Sequence, residues 1–261
     1  MIFSLKKEKT YTYVEEGEGH TFVLLHGLMG NLSNFNAPLK FFSTKGYKVI
    51  IPSLPLYSMP LLRTNISNLA KHIMRFLRDR NFSKVTLVGN SLGGHIALIV
   101  AREIPNMVHS ITLTGSSGLF EKAFGDSFPK RGSYQYIEQK TQEVFYDPKV
   151  ATKELVDEVY EIVSDRNKAL KTLHIARSAL KNNMADELLY IKQPVCLIWG
   201  KQDNVTPPEV AEEFHRLLPC SDLFWIDKCG HAPMMERPES FVKILDEWIS
   251  KFNLNHEYSK H

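Results

Sequence analysis

Short apolar runs alternate along this chain with longer stretches in which apolar residues recur every three or four positions. Residues 21–25, 47–51, 84–88, 108–114, 194–199 and 222–226 read as buried strands, and two shorter runs at 3–7 and 10–15 read as an early hairpin. Between them, 66–80 reads as an amphipathic helix with Ile66, Leu69, Ile73, Phe76 and Leu77 on one face. Phe241, Ile244, Leu245 and Trp248 give a last helix its apolar stripe, and 253–261 reads as a frayed tail. Strands alternating with helices predict an α/β fold: a mostly parallel central sheet covered by helices on both faces.

The alternation stops between residues 116 and 191, a stretch too long for an ordinary crossover. Leu155, Val159, Ile162 and Val163 suggest one amphipathic helix there, and Leu170, Leu173, Ala176, Arg177 and Leu180 another. The predicted organisation is a core formed by 1–115 and 192–252, a helical lid inserted at 116–191, and the tail at 253–261. A lid excludes water and selects substrate. Phe120, Phe124, Phe128, Tyr134 and Tyr136 read equally as the lining of an apolar pocket and as the lid's own core.

The chemistry concentrates at Gly89-Asn90-Ser91-Leu92-Gly93, between a strand and the helix-like 94–102. G-x-S-x-G in that setting is the nucleophile-elbow pattern. The turn is so tight that side chains at the two glycine positions would strike the neighbouring elements. The serine is held in a strained conformation with its hydroxyl in the open. The Leu92 N–H, at the helix N-terminus, faces the place where an oxyanion would form. A glycine-rich turn with a capping serine is the plainer alternative.

An acid and then a histidine must come later in the chain for this elbow to work. Asp203 lies just past the 194–199 strand, and His231 just past the 222–226 strand. Both therefore sit at strand C-terminal ends, where open α/β sheets place their sites. A neutral histidine takes a serine proton near pH 7, and a buried carboxylate fixes its tautomer. Asp203 also reads as a turn aspartate, since Asp-Asn-x-Thr-Pro-Pro is turn chemistry. Asp222 and Asp227 are rival acids; Asp222 falls at the wrong end of its strand, and the direction of Asp227 is open. A second oxyanion donor is the Leu28 N–H, in the His26-Gly27-Leu28 turn after the third strand. His26 itself reads as a structural residue.

Taken together, the His26-Gly27 turn, the Gly89–Gly94 elbow, Trp199-Gly200-Lys201-Gln202-Asp203 and Cys229-Gly230-His231-Ala232-Pro233 resemble the α/β-hydrolase superfamily over nearly the whole chain. The Met235-Glu236-Arg237-Pro238-Glu239 tail is also similar to the segment after the histidine in many members. The resemblance implies a serine hydrolase in which Ser91, His231 and Asp203 form a triad and Leu28 and Leu92 form the oxyanion hole. Asn90 beside the nucleophile resembles the meta-cleavage-product hydrolases, which cut a carbon–carbon bond in vinylogous diketo acids. That likeness implies a substrate-binding role for Asn90 and a carboxylate-binding lid arginine. Arg166 stands in the segment that matches, with Arg177 as the fallback. Ala232 departs from that group, which has tryptophan after the histidine. The 51–58 loop departs from the Asp-x-x-Gly-x-Gly turn of many members. Serine at the elbow separates the chain from the dehalogenases and epoxide hydrolases of this fold, whose nucleophile is aspartate.

Composition changes little in this picture. A formal charge of +3 from 32 Lys+Arg against 29 Asp+Glu, without basic clusters, points away from nucleic acid and other polyanions. Cys196, Cys220 and Cys229 form no disulfide framework, which fits a reducing cytoplasm. The start lacks the order of a signal peptide, and no apolar run reaches the roughly 20 residues of a membrane span. No ligand-spaced cluster predicts a metal, and no cofactor is expected. The expected partner is a small-molecule substrate, most simply a carboxylic ester. Two alternatives remain: a carbon–carbon hydrolase of the meta-cleavage type, and a non-catalytic ligand-binding protein of the same fold.

Overall fold

The computed structural model describes residues 4–121 and 132–252. Eight strands form one sheet in the order β1-β2-β4-β3-β5-β6-β7-β8. They are β1 (Leu5–Glu8), β2 (Tyr11–Glu16), β3 (His20–Leu25), β4 (Tyr47–Pro52), β5 (Val85–Asn90), β6 (Val108–Thr114), β7 (Val195–Gly200) and β8 (Ser221–Ile226). β1 and β2 form the predicted antiparallel hairpin, and β2 runs antiparallel to β4. Every pair from β4 to β8 is parallel.

The central strands read as unbroken apolar runs because both of their faces are covered. Every residue of β3, β5 and β7 is buried. Alternate residues of β3 serve opposite sides. Val23 and Leu25 pack with α2 (Ile66–Asp79), α3 (Leu92–Glu103) and α8 (Pro208–Leu217). Phe22 and Leu24 pack with α1 (Asn36–Ser43) and α10 (Pro238–Ser250). The stripe expected on 66–80 is the buried face of α2, started by an Asn65 side-chain cap on the Asn68 N–H at 2.9 Å. Trp248, on α10, is buried and donates from Nε1 to Asp222 Oδ2 at 2.8 Å.

Among the described residues, four α-helices stand between β6 and β7: α4 (Tyr134–Gln142), α5 (Lys153–Ser164), α6 (Arg166–Lys181) and α7 (Ala185–Leu188). Ile137, Val159 and Val163 make a small core of their own, with Tyr136 packed against it. Tyr134 packs at the edge of the main core, and its hydroxyl donates to Asp157 Oδ1 at 2.6 Å. These tyrosines are packing residues, not cavity lining. Phe120 is exposed and is not among the residues lining the cavity beside Ser91, and Phe124 and Phe128 lie outside the described residues. So does 253–261, the expected tail.

Helix α6 turns a different side inward from the one its leucines suggest. Its buried residues are Ala169, Thr172, Ile175 and Ala179. Leu170, Leu173 and Leu180 remain substantially exposed. The periodicity located the helix; its Leu173–Leu180 side borders a cavity instead of packing on the core.

Candidate active site

Strand β5 runs two residues further than its apolar pattern, and Gly89 and Asn90 pair with Leu113 and Thr114 of β6. Helix α3 begins at Leu92, so the whole reversal falls on Ser91, at φ 53° and ψ −120°. That is the left-handed side of conformational space, costly for a residue with a Cβ. The surroundings hold it there. Ser91 N–H donates to Thr114 O at 3.1 Å, and Ser91 O accepts from Gly94, His95 and Ser117 N–H at 3.0–3.2 Å. The second residue of α3 has no room for a side chain: a Cβ on Gly93 would lie 1.9 Å from Leu25 O.

Asp203 follows β7 and is buried, with its side chain wholly screened from solvent. Its Oδ1 accepts from Val205 and Thr206 N–H at 2.8 and 3.0 Å. Its Oδ2 accepts from the Thr206 hydroxyl at 2.9 Å and from His231 Nδ1 at 2.9 Å. The residue is thus both the turn aspartate and the histidine's partner. A carboxylate only accepts, so the shared proton sits on Nδ1, and in the neutral ring Nε2 then carries the lone pair. Thr206 escaped the sequence reading; the D-x-x-T spacing carries its signal.

His231 is held by its backbone. Its N–H donates to Val144 O at 2.9 Å, and its carbonyl accepts from Asn90 Nδ2 at 3.0 Å. Gly115, at φ +50°, leaves it space: a Cβ there would lie 2.7 Å from His231 Nδ1. Glu236, at the end of α9 (Pro233–Glu236), accepts from Gly230 N–H and Asp147 N–H, each at 2.6 Å. This is the physical task of the Met-Glu-Arg-Pro tail: it ties the histidine loop to the turn before α5. The rival acids are engaged elsewhere. Asp222 serves Trp248, and Asp227 is exposed and accepts from Gln202 Nε2 at 3.2 Å.

Ser91, His231, Gly27, Leu28 and Asn90 line one cavity of about 320 Å³. Leu155, Val159, Leu173 and Leu180 give its lining aliphatic surface. Leu92 is buried behind Ser91 as the first residue of α3, where helix N–H groups have no intrahelical partner. His26 is buried and donates from Nδ1 to Gly27 O at 2.9 Å, and burial lowers its pKa. It fixes the turn that carries Leu28.

The expected substrate residues divide. Asn90 lines the cavity, but its amide hydrogens are spent on Thr114 O and His231 O, each at 3.0 Å. Arg166 is corrected: it is exposed at the first position of α6 and lies off the cavity, whereas Arg177 lines it. The matching segment lies at a helix start that points into solvent, and Arg177 comes three turns later on the cavity side. Lys140 and Glu121, not singled out in the sequence, also line the cavity. Burial pushes the Glu121 carboxyl up, against the pull of the His231 charge. Among the described residues no group of His, Cys, Asp and Glu could hold a metal ion.

Residues 20–238 match the family model described as the alpha/beta hydrolase fold. The chain belongs to that family and is a hydrolase. It is 50% identical to MGS-MChE2, an alpha/beta hydrolase enzyme from the metagenome of lagoon sediments of Mar Chica, Morocco. That likeness covers 96% of this chain and 99% of the other, with a TM-score of 0.80. The uncharacterized hydrolase YugF of Bacillus subtilis is 26% identical over 93% of each chain. A 2-hydroxy-6-oxo-6-phenylhexa-2,4-dienoate hydrolase of Comamonas testosteroni is 25% identical over 91% of this chain and 90% of its own.

Proposed function

We propose that this hydrolase cleaves a small carboxylic ester or related acyl substrate through a Ser91–His231–Asp203 triad. The carrying observation is the strained Ser91 at a strand-to-helix turn, in one cavity with a histidine whose Nδ1 is bonded to a buried aspartate. His231 Nε2 takes the Ser91 proton as Oγ attacks the carbonyl carbon. The Leu28 and Leu92 N–H groups bind the oxyanion, each worth about 3 kcal/mol of barrier. The protonated histidine returns its proton to the leaving alcohol, and the C–O bond breaks. Water, deprotonated by His231, then releases the acid from the acyl-enzyme. The aliphatic part of the lining suits an uncharged acyl group, and helices α4–α7 serve as the lid that shields it. Three cysteines outside any disulfide, two of them buried, favour a cytoplasmic setting.

A second reading has its own support. Arg177 supplies a cation in the cavity, and the Comamonas relative is a hydrolase of a dienoate. Carbon–carbon hydrolysis of such a substrate would use the same triad with Arg177 on the carboxylate. A graded series of p-nitrophenyl esters, run beside a 2-hydroxy-6-oxo-dienoate, separates the two. Ester turnover that disappears in Ser91→Ala supports the first reading. Turnover of the dienoate alone, with KM raised at least about tenfold by Arg177→Ala, supports the second. A wild type that turns over neither points to ligand binding without catalysis.

A further inference from the structure

The side of α6 that does not pack on the core has its own pattern. Leu170, Leu173 and Leu180 are 42%, 37% and 42% exposed. Their spacing of three and then seven residues puts them on one stripe, with Arg177 between them. The helix carries Arg166, Lys168, Lys171, Arg177 and Lys181 and no acidic residue. The turn at Leu61–Arg63 lies alongside, joined by Lys171 Nζ donating to Tyr57 O at 2.7 Å and by Ile66 N–H donating to Ser178 Oγ at 3.1 Å. It adds Leu61 at 39% and Leu62 at 83% exposure, with exposed Arg63.

Charge decides what this face fits. Lys168 pairs with Glu161, but Arg63, Arg166, Arg177 and Lys181 meet no carboxylate among the described residues. Asp165 is spent on the helix N-cap, accepting from Lys168 N–H at 2.8 Å. Leucines interleaved with unpaired cations on one helical face are the composition of a helix that lies on an anionic bilayer. A second copy fits poorly, because a twofold pairing sets the same cations against one another. Position adds a third point. Leu173, Arg177 and Leu180 line the cavity, and both leucines are also exposed, so the stripe runs into its mouth.

We propose that the outer face of α6 and the Leu61–Arg63 turn dock on an anionic lipid bilayer and set the cavity mouth against it. An acyl substrate dissolved in the bilayer then enters without crossing water. That consequence for substrate rests on the ester reading above; the docking does not.

The test is cosedimentation of the full chain, as Ser91→Ala to prevent turnover, with vesicles of phosphatidylcholine alone and of phosphatidylcholine with phosphatidylglycerol. Binding is expected to the anionic vesicles only and to fall as salt rises. Leu62→Asp, Leu170→Asp and Lys181→Glu should each weaken it by roughly tenfold. In the chain that keeps Ser91, these substitutions should leave hydrolysis of a short, water-soluble ester within about twofold, since none of the three residues lines the cavity. No binding to anionic vesicles, or binding that all three variants leave intact, overturns the proposal. So does a dimer in solution that Leu170→Asp dissolves, which would give the face to a second copy. Failure of the ester reading shows separately, as hydrolysis that survives in Ser91→Ala.

Discussion

The amide of Asn90 donates to the backbone oxygen of His231 at 3.0 Å, and so ties the Ser91 turn directly to the histidine loop. The residues are 141 apart in sequence. The second amide hydrogen goes to Thr114 O, so one buried side chain fastens three segments of the site. Asn90 therefore acts on geometry first.

Asn90→Ala should leave two buried carbonyl groups without this donor and cost about 1–3 kcal/mol, read as a lower urea midpoint at unchanged slope. Catalysis should fall mainly in kcat, because the displaced group is the histidine. A variant with full kcat and a raised KM would return Asn90 to a substrate-binding role.

Glu236 fastens the same loop from the other side through Gly230 and Asp147 N–H. Glu236→Ala removes two charge-assisted bonds from a buried site and should cost roughly 2–4 kcal/mol in denaturant unfolding. Glu236→Gln keeps one carbonyl acceptor and should recover about half of that loss. Equal losses in the two variants would show that the bonds contribute little.

Gly115→Ala tests the space left for His231. Its Cβ would approach Nδ1 to 2.7 Å at a backbone φ of +50°. Hydrolysis should fall by at least about 10²-fold, since a shift of order 1 Å in a catalytic group costs that much. Circular dichroism should still report a folded chain. Wild-type activity in this variant would mean that His231 stands elsewhere during turnover.

Two buried histidines contribute to the loss of stability in acid. His20 donates or accepts at Thr86 Oγ1 at 2.8 Å, and His95 Nε2 meets Asn182 Oδ1 at 3.0 Å. Desolvation lowers each pKa to about 4. The unfolded chain binds these protons from pH 6.5 downward, whereas the folded chain resists them until about pH 4. Their contribution is therefore full above 6.5 and is lost as pH falls through that window, with no further loss from them below it. His95→Gln keeps an amide hydrogen bond to Asn182 and removes the titration. It should flatten the fall in urea midpoint between pH 6.5 and 4; an unchanged profile would clear His95.

Much of the candidate site is legible in the chain because each candidate residue comes shortly after an apolar run. Ser91, Asp203 and His231 follow the runs that form β5, β7 and β8, so pattern alone predicts them at one edge of the sheet. Thr206 and Glu236 were harder to read, since their partners are backbone amides and an aspartate that only the closed fold brings near. Helix α6 misled for a different reason. Periodicity shows that a helix has two faces but not which one packs. There Ala169, Thr172, Ile175 and Ala179 pack inward, Leu173, Arg177 and Leu180 border the cavity, and Leu170 and Arg166 lie off it.

The proposed mechanism requires that Ser91 become acylated. The most direct measurement is the first turnover of p-nitrophenyl acetate with the enzyme near substrate concentration, followed by acid quench and peptide mass spectrometry. An acetyl group is expected on the peptide that carries Ser91, formed no more slowly than turnover and absent from Ser91→Ala. Steady turnover with no adduct on that peptide, or an unreduced rate in Ser91→Ala, would contradict it.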